Sequence, residues 1–288
     1  MFSLIPDKDI NVRQIQIPSE GRSIPALVLS PKKAETRATG VLWIHGGGYI
    51  LGMKEMVHMS RAVDLVKKFG AVVVSPGYRL ATVAPYPAAL EDCFAALIYM
   101  KDNADGLGIR SDQITVGGES AGGGLCAAVC IKARDTGKVN VAFQMPLYPM
   151  LDDRDTETSR DNHGRVWDTR KNHIAWRLYL RGADRENLSP YAAPARLTDF
   201  NGLPPAYTFV GDGEPFYAET VRYIECLRQC GIPAEVDVYH TDMHAFDMMQ
   251  PDSALAVRAV AAFNHQFERA QKQYFAPQPG DGRNSNDT

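Results

Sequence analysis

The sequence predicts an α/β protein with a mostly parallel central sheet and helices on both of its faces. Two observations carry that prediction. Short apolar runs at residues 40–44, 71–74, 114–116, 139–147, 206–210 and 234–239 alternate with longer segments of helical periodicity, and such alternation closes into a parallel sheet covered on both sides. Two of the runs also lead straight into glycine clusters, His45-Gly-Gly-Gly48 and Gly117-Gly-Glu-Ser-Ala-Gly-Gly-Gly124. These put bare backbone at the carboxyl end of the sheet, where ligands bind in open α/β folds.

Taken in order, Val12-Arg-Gln-Ile-Gln-Ile17 alternates polar and apolar residues and is followed after Glu20-Gly-Arg22 by an apolar stretch at 24–30, the pattern of an antiparallel hairpin at a sheet edge. Residues 32–39 form a charged loop. Residues 57–69 have helical spacing and stop at Gly70, a residue suited to the left-handed position past a helix end. Residues 87–103 form the next helix, with Pro87 at its first turn, and residues 125–131 a buried helix after the second glycine cluster.

Residues 151–202 break the alternation. They open on the acidic run Asp152-Asp-Arg-Asp-Thr-Glu157 and carry an aromatic-rich helix at 170–180, so they are expected to be a lid over the side where the glycine clusters point. A helix at 215–230 ending at Gly231, a loop bearing His244 and a helix at 252–271 complete the pattern. Residues 1–275 are expected to be one domain with that insertion, and residues 276–288, poor in apolar side chains, a disordered tail.

The 288 residues are 45% hydrophobic and 23% charged, with a formal net charge of −3, so a sizeable core can form and no basic stripe invites nucleic acid or an anionic membrane surface. The five cysteines, Cys93, Cys126, Cys130, Cys226 and Cys230, fall on apolar helix faces without histidines at ligand spacing. Buried free thiols in a reducing compartment are expected of them rather than a metal site or a disulfide framework. No basic segment followed by an apolar one opens the sequence and no apolar run reaches membrane-spanning length, so a soluble cytoplasmic protein is expected. Nothing in the composition fixes an oligomeric state, which leaves a homo-oligomer open.

Gly118-Glu119-Ser120-Ala121-Gly122 fits G-x-S-x-G, in which a serine sits on a sharp turn between a buried strand and a helix. A tight corner brings backbone close on both sides, so its flanks carry almost no side chain. If Ser120 is a nucleophile it needs a base, an acid that orients the base, and donors for an oxyanion. In this arrangement acid and base follow the serine in chain order. Of the downstream histidines, His163 and His173 lie in the insertion, His265 is on the last helix, and His240 adjoins a strand end. His244 stands in the loop beyond that strand, where a base can reach the serine. Gly211-Asp-Gly-Glu-Pro-Phe216 offers Asp212 and Glu214 as the acid, and spacing alone does not choose between them.

His45-Gly-Gly-Gly-Tyr49, Tyr78-Arg-Leu-Ala81 with Tyr86-Pro-Ala-Ala-Leu-Glu-Asp92, Gly118-Glu-Ser-Ala-Gly-Gly123, Ser189-Pro-Tyr-Ala-Ala-Pro194, Gly202-Leu-Pro-Pro205 and His244 together resemble the hormone-sensitive-lipase-like branch of the α/β-hydrolases, bacterial carboxylesterases. The resemblance runs from His45 to Phe246 and implies the α/β-hydrolase fold and a serine carboxylesterase needing no cofactor or metal, acting on a small-molecule ester. It implies Ser120 as nucleophile, His244 as base, Glu214 as acid from its place directly before Pro215-Phe216, and the backbone amides of Gly47, Gly48 and Ala121 as oxyanion donors. Glutamate there departs from the family's aspartate, as Glu119 does inside the G-x-S-x-G motif. Ala245 replaces the usual glycine after the base. The cap should be reduced, because a hairpin precedes the glycine loop where the family commonly has a helical segment. Residues 166–167 and 176–180 are then candidate walls of an acyl pocket, with helix packing as the other reading. The same triad also serves deacetylation and lactone or amide hydrolysis, and the family's fold includes non-catalytic small-molecule receptors that lack the base.

Overall fold

The computed structural model describes residues 7–19, 21–33 and 37–280. Its eight strands are β1 (Ile10–Ser19), β2 (Arg22–Pro31), β3 (Ala38–Ile44), β4 (Val72–Pro76), β5 (Ile109–Glu119), β6 (Phe143–Leu147), β7 (Ala206–Gly211) and β8 (Ala234–Tyr239), joined in one sheet in the order β1-β2-β4-β3-β5-β6-β7-β8. The hairpin pairs antiparallel within itself and with β4, and every later pairing is parallel. The helices are α1 (Ala62–Phe69), α2 (Ala88–Asp102), α3 (Ala104–Leu107), α4 (Ala121–Thr136), α5 (Thr169–Tyr179), α6 (Tyr217–Gln229), α7 (Phe246–Met249) and α8 (Ala254–Gln273). None of the described helices is long and apolar enough to cross a membrane.

The period of two along β3 explains how this sheet is buried on both sides. Leu42 and Ile44 belong to the core under α2 and α4, whereas Val41 and Trp43 belong to the core under α1 and α8. Trp43 meets Phe263 of α8 edge-on, with ring centroids 6.1 Å apart. All four β3 side chains are fully buried. The strand therefore ends its carboxyl terminus, and begins the glycine loop, from a position with no freedom to shift.

Four expectations need correction. The helix expected over 57–69 is interrupted, with a 3-10 turn at Lys54–Met59 preceding α1. Ser60 makes the break: its backbone is extended at φ −87° and ψ 173°, and its hydroxyl donates to the Val57 carbonyl and accepts from the Ala62 amide at 3.1 Å, the competition with helical bonding that serine offers. The strand expected over 139–147 narrows to β6. Tail disorder does not begin at Ala276, because the Ala276 amide donates to the Asp112 carbonyl at 2.7 Å and the Gln278 side chain is buried, accepting from the Asn140 amide and donating to the Ser111 carbonyl. Residues 281–288 lie outside the described residues. Finally, all five cysteines are free but only Cys93, Cys126 and Cys130 are buried, Cys226 and Cys230 being half-buried. The turns α3 and α7 were not anticipated, since four residues are too few to show a helical period.

Within residues 151–202, α5 packs inward. Tyr179 stacks on Tyr49 with centroids 4.0 Å apart, Trp176 lies against the same ring at 5.4 Å, and the Tyr86 amide donates to the Tyr179 carbonyl at 2.8 Å. This insertion is thus held by the segment that follows the glycine loop.

Candidate active site

Ser120 occupies the corner between β5 and α4 with φ 58° and ψ −119°, a conformation L-residues avoid and surrounding structure must impose. The crowding is evident at Gly122, where a Cβ would collide with the carbonyl oxygens of Ile44 and His45. Only glycine lets β3 and α4 approach this closely.

His244 Nε2 lies 2.9 Å from Ser120 Oγ. On the other side of the ring, Nδ1 is hydrogen-bonded to Glu214 Oε2. With that carboxylate accepting at Nδ1, the neutral imidazole carries its proton there and leaves Nε2 free to accept from the serine hydroxyl. Glu214 is fully buried, and its second oxygen accepts from the Gly211 amide at 2.8 Å. The longer side chain thus folds back over its own turn at the end of β7, which accommodates the extra methylene. Asp212 points elsewhere. It meets His240 Nδ1 at 2.8 Å and accepts from the Thr241 amide at 3.2 Å, and this hydrogen bond raises the His240 imidazole above its usual range. The His240 side chain is 98% exposed, so that pair latches two loops at the surface.

Phe216 and Tyr148 flank the imidazole, each roughly perpendicular to it, with centroids 5.0 and 5.1 Å away. Neither was singled out from the sequence. Phe216 directly follows the Glu214-Pro215 pair and Tyr148 follows the end of β6, the one signal that could have marked them being their place at carboxyl ends of strands.

Facing Ser120, the glycine loop turns at Gly47 and Gly48, with φ of +113° and +60°, and the Gly47 carbonyl accepts from the amides of Ile50 and Leu51 at 3.1 and 3.0 Å. Among the described residues no acceptor takes the amides of Gly47, Gly48 or Ala121. His45 is stacked on Tyr78 at 4.2 Å, donates from Nδ1 to the Gly46 carbonyl at 2.8 Å, and its own carbonyl accepts from the Tyr78 hydroxyl. Burial pushes it down to about 4, so it is a neutral prop for the loop. Asp92 holds the neighbouring Tyr78-Arg79 segment, accepting from the Arg79 amide, Nε and Nη2 at 2.8 to 2.9 Å.

The candidate wall residues divide. Trp167 is half-buried and so close to Gly48 that a Cβ there would strike its ring, while Trp176 and Tyr179 are buried against Tyr49. A separate cleft of about 880 Å³ beside α5 is lined by Arg170, His173, Arg177 and Arg185 among others; none of Ser120, Glu214 and His244 lines it.

Ala245, which follows His244, is left-handed at φ 56° and ψ 39°. Such a conformation costs a non-glycine residue about 1–2 kcal/mol, of which the looser unfolded state of a glycine returns part. Ala245→Gly should therefore raise the melting temperature by about 1–3 °C, measured by calorimetry. A lower melting temperature would contradict this account of the backbone.

A family model described as the α/β hydrolase fold matches residues 41–248. The chain is an α/β-hydrolase. It belongs to the hormone-sensitive-lipase-like carboxylesterase branch. Esterase LipI of Mycobacterium tuberculosis is 34% identical over 218 residues, covering 75% of this chain and 67% of LipI. Carboxylesterase NlhH of the same organism is 32% identical over 253 residues, covering 83% and 77%. Among solved structures, a bacterial heroin esterase superposes with a TM-score of 0.87 at 31% identity, covering 93% of this chain and 86% of its own.

Proposed function

We propose that this α/β-hydrolase is a serine carboxylesterase that cleaves short- to medium-chain carboxylic esters through an acyl-enzyme. The observation that carries the reading is the continuous hydrogen-bonded line Ser120–His244–Glu214, opposite a loop in which the Gly47 and Gly48 amides have no acceptor among the described residues. Ser120 Oγ attacks the ester carbonyl carbon as His244 Nε2 takes the hydroxyl proton, and Glu214 steadies the imidazolium through Nδ1. The negative charge gathers on the former carbonyl oxygen, where the amides of Gly47, Gly48 and Ala121 donate to it. Collapse breaks the ester C–O bond, and the alcohol leaves with the proton from Nε2. Water then repeats the sequence, giving its proton to His244 and its oxygen to the acyl carbon, and the acid is released with Ser120 restored. The Trp167 ring against Gly48 limits the room beside the oxyanion, which favours small acyl groups.

A fluorophosphonate tests the reading, because it reacts with an activated serine and mimics the tetrahedral intermediate. Expected are one label per chain, mapped to Ser120 by peptide mass spectrometry, and a burst of nitrophenol from a p-nitrophenyl ester equal to the labelled fraction. A folded chain that takes no label and shows no burst would instead fit a small-molecule receptor built on the same fold.

A further inference from the structure

Tyr148, Asp247 and Glu119, with the partly buried Arg61, form a polar cluster beside His244, and the steps above use none of them. Tyr148 and Asp247 are fully buried and Glu119 nearly so. The Tyr148 hydroxyl donates to Asp247 Oδ1 at 3.0 Å, and Arg61 Nε stands 3.3 Å from Asp247 Oδ2. We infer that Asp247 is a positioning residue for His244, acting through the Tyr148 ring and the turn that joins the two residues, with Arg61 as its counter-ion.

The contacts form a closed circuit. From His244 the chain passes through left-handed Ala245, whose carbonyl accepts from the Met248 and Met249 amides, to Asp247 on α7. Asp247 holds the Tyr148 hydroxyl, and the Tyr148 ring returns to the imidazole at 5.1 Å. Tyr148 is itself fixed, its amide donating to the Phe209 carbonyl at 3.1 Å. Phe216 on the imidazole's other contact has no polar group with which to be tied. Of the two aromatic neighbours, only Tyr148 can therefore transmit a constraint from a hydrogen bond to the ring, and a hydrogen-bonded ring resists tilting more than one held by packing alone.

Charge balance explains why Arg61 is there. Two carboxyl groups face one guanidinium, and burial together with the Asp247 charge pushes Glu119 up to about 8. Glu119 is thus mostly protonated near neutral pH; burial pushes the Asp247 carboxyl up as well, against the Arg61 charge beside it, and one carboxylate opposite one guanidinium leaves the cluster neutral, as a buried group of ions must nearly be. The groups facing Asp247 are Arg61 from before α1, Tyr148 from after β6 and Glu119 from the end of β5.

The inference rests on His244 being the base, and two readouts keep its failure separate from a failure of that reading. In the full-length chain, Asp247→Asn, which sets an amide NH2 against either Arg61 or the Tyr148 hydroxyl, should broaden the NMR signals of the His244 ring protons and lower kcat about tenfold. Tyr148→Phe, which keeps the ring and removes the tether, should lower kcat about tenfold and leave KM within about twofold. Folded variants with unchanged His244 ring signals and unchanged kcat would overturn the inference. Should Asp247→Asn not fold, an unchanged kcat in Tyr148→Phe overturns it alone. If the unaltered chain turns over no ester, the esterase reading falls, and the presence or absence of the NMR broadening still decides the role of Asp247.

Discussion

Ser120→Ala should lower kcat for a short-chain aryl ester by about 10^5- to 10^6-fold while leaving the melting temperature within about 2 °C. The loss is large because the proposed line of proton transfer has no bypass. His45, the other histidine near the glycine loop, has been pushed down to about 4 and its Nδ1 is engaged with the Gly46 carbonyl, so it cannot activate water in place of Ser120. Each tenfold is worth about 1.4 kcal/mol of barrier, and the fall thus amounts to about 7–8 kcal/mol. Stability should change little for two reasons. Alanine at φ 58° and ψ −119° bears the same backbone strain as serine, and the one side-chain hydrogen bond lost is that to His244. What remains is the stabilisation offered by the unpaired amides opposite, which acts on any tetrahedral adduct formed by water. A folded Ser120→Ala protein that retained more than about 1% of kcat would place the nucleophile elsewhere.

The features legible in the sequence are those written in short stretches of it. The period-two pattern of β3, the glycines around Ser120 and the hairpin of β1 and β2 each follow from neighbouring residues, and the structure contains them. The sheet order β1-β2-β4-β3 is not written locally, because it depends on which strand β5 joins. Sequence spacing brought Asp212 and Glu214 equally near His244, and resemblance favoured Glu214. The contact with His244 is made by Glu214 because the Gly211 amide captures one of its oxygens and turns the other inward, a choice of rotamer that no residue count reveals. Tyr148 and Asp247 were illegible for a related reason. They are 99 residues apart in the chain, an ordinary tyrosine and an ordinary aspartate, and only the meeting of β6 with the loop after β8 makes them neighbours of the same ring. Ser60 shows the opposite limit, a local hydrogen bond strong enough to break a helix whose apolar spacing continued straight through it.

Glu214→Gln and Asp212→Asn should separate by orders of magnitude, with kcat falling about 10^3- to 10^4-fold in the first and less than about threefold in the second. Glutamine keeps the length of the side chain but not its two equivalent acceptors. At Glu214 one oxygen accepts from the Gly211 amide and the other from His244 Nδ1. If the carboxamide oxygen stays with Gly211, its NH2 faces Nδ1, and the ring must accept there. The proton then moves to Nε2, and the imidazole presents a donor to Ser120 where it needs an acceptor. If the amide flips, two donors meet at Gly211 inside a fully buried turn, which costs about 1–3 kcal/mol and loosens the same loop. Both arrangements disable the base. Asparagine at position 212 keeps an oxygen for the Thr241 amide and loses only the charge opposite His240, at a surface where such a pair is worth little. Measured at the pH of maximal activity by steady-state kinetics, a larger loss in Asp212→Asn would reassign the acid, and would require the turn that holds Glu214 against His244 to open during turnover.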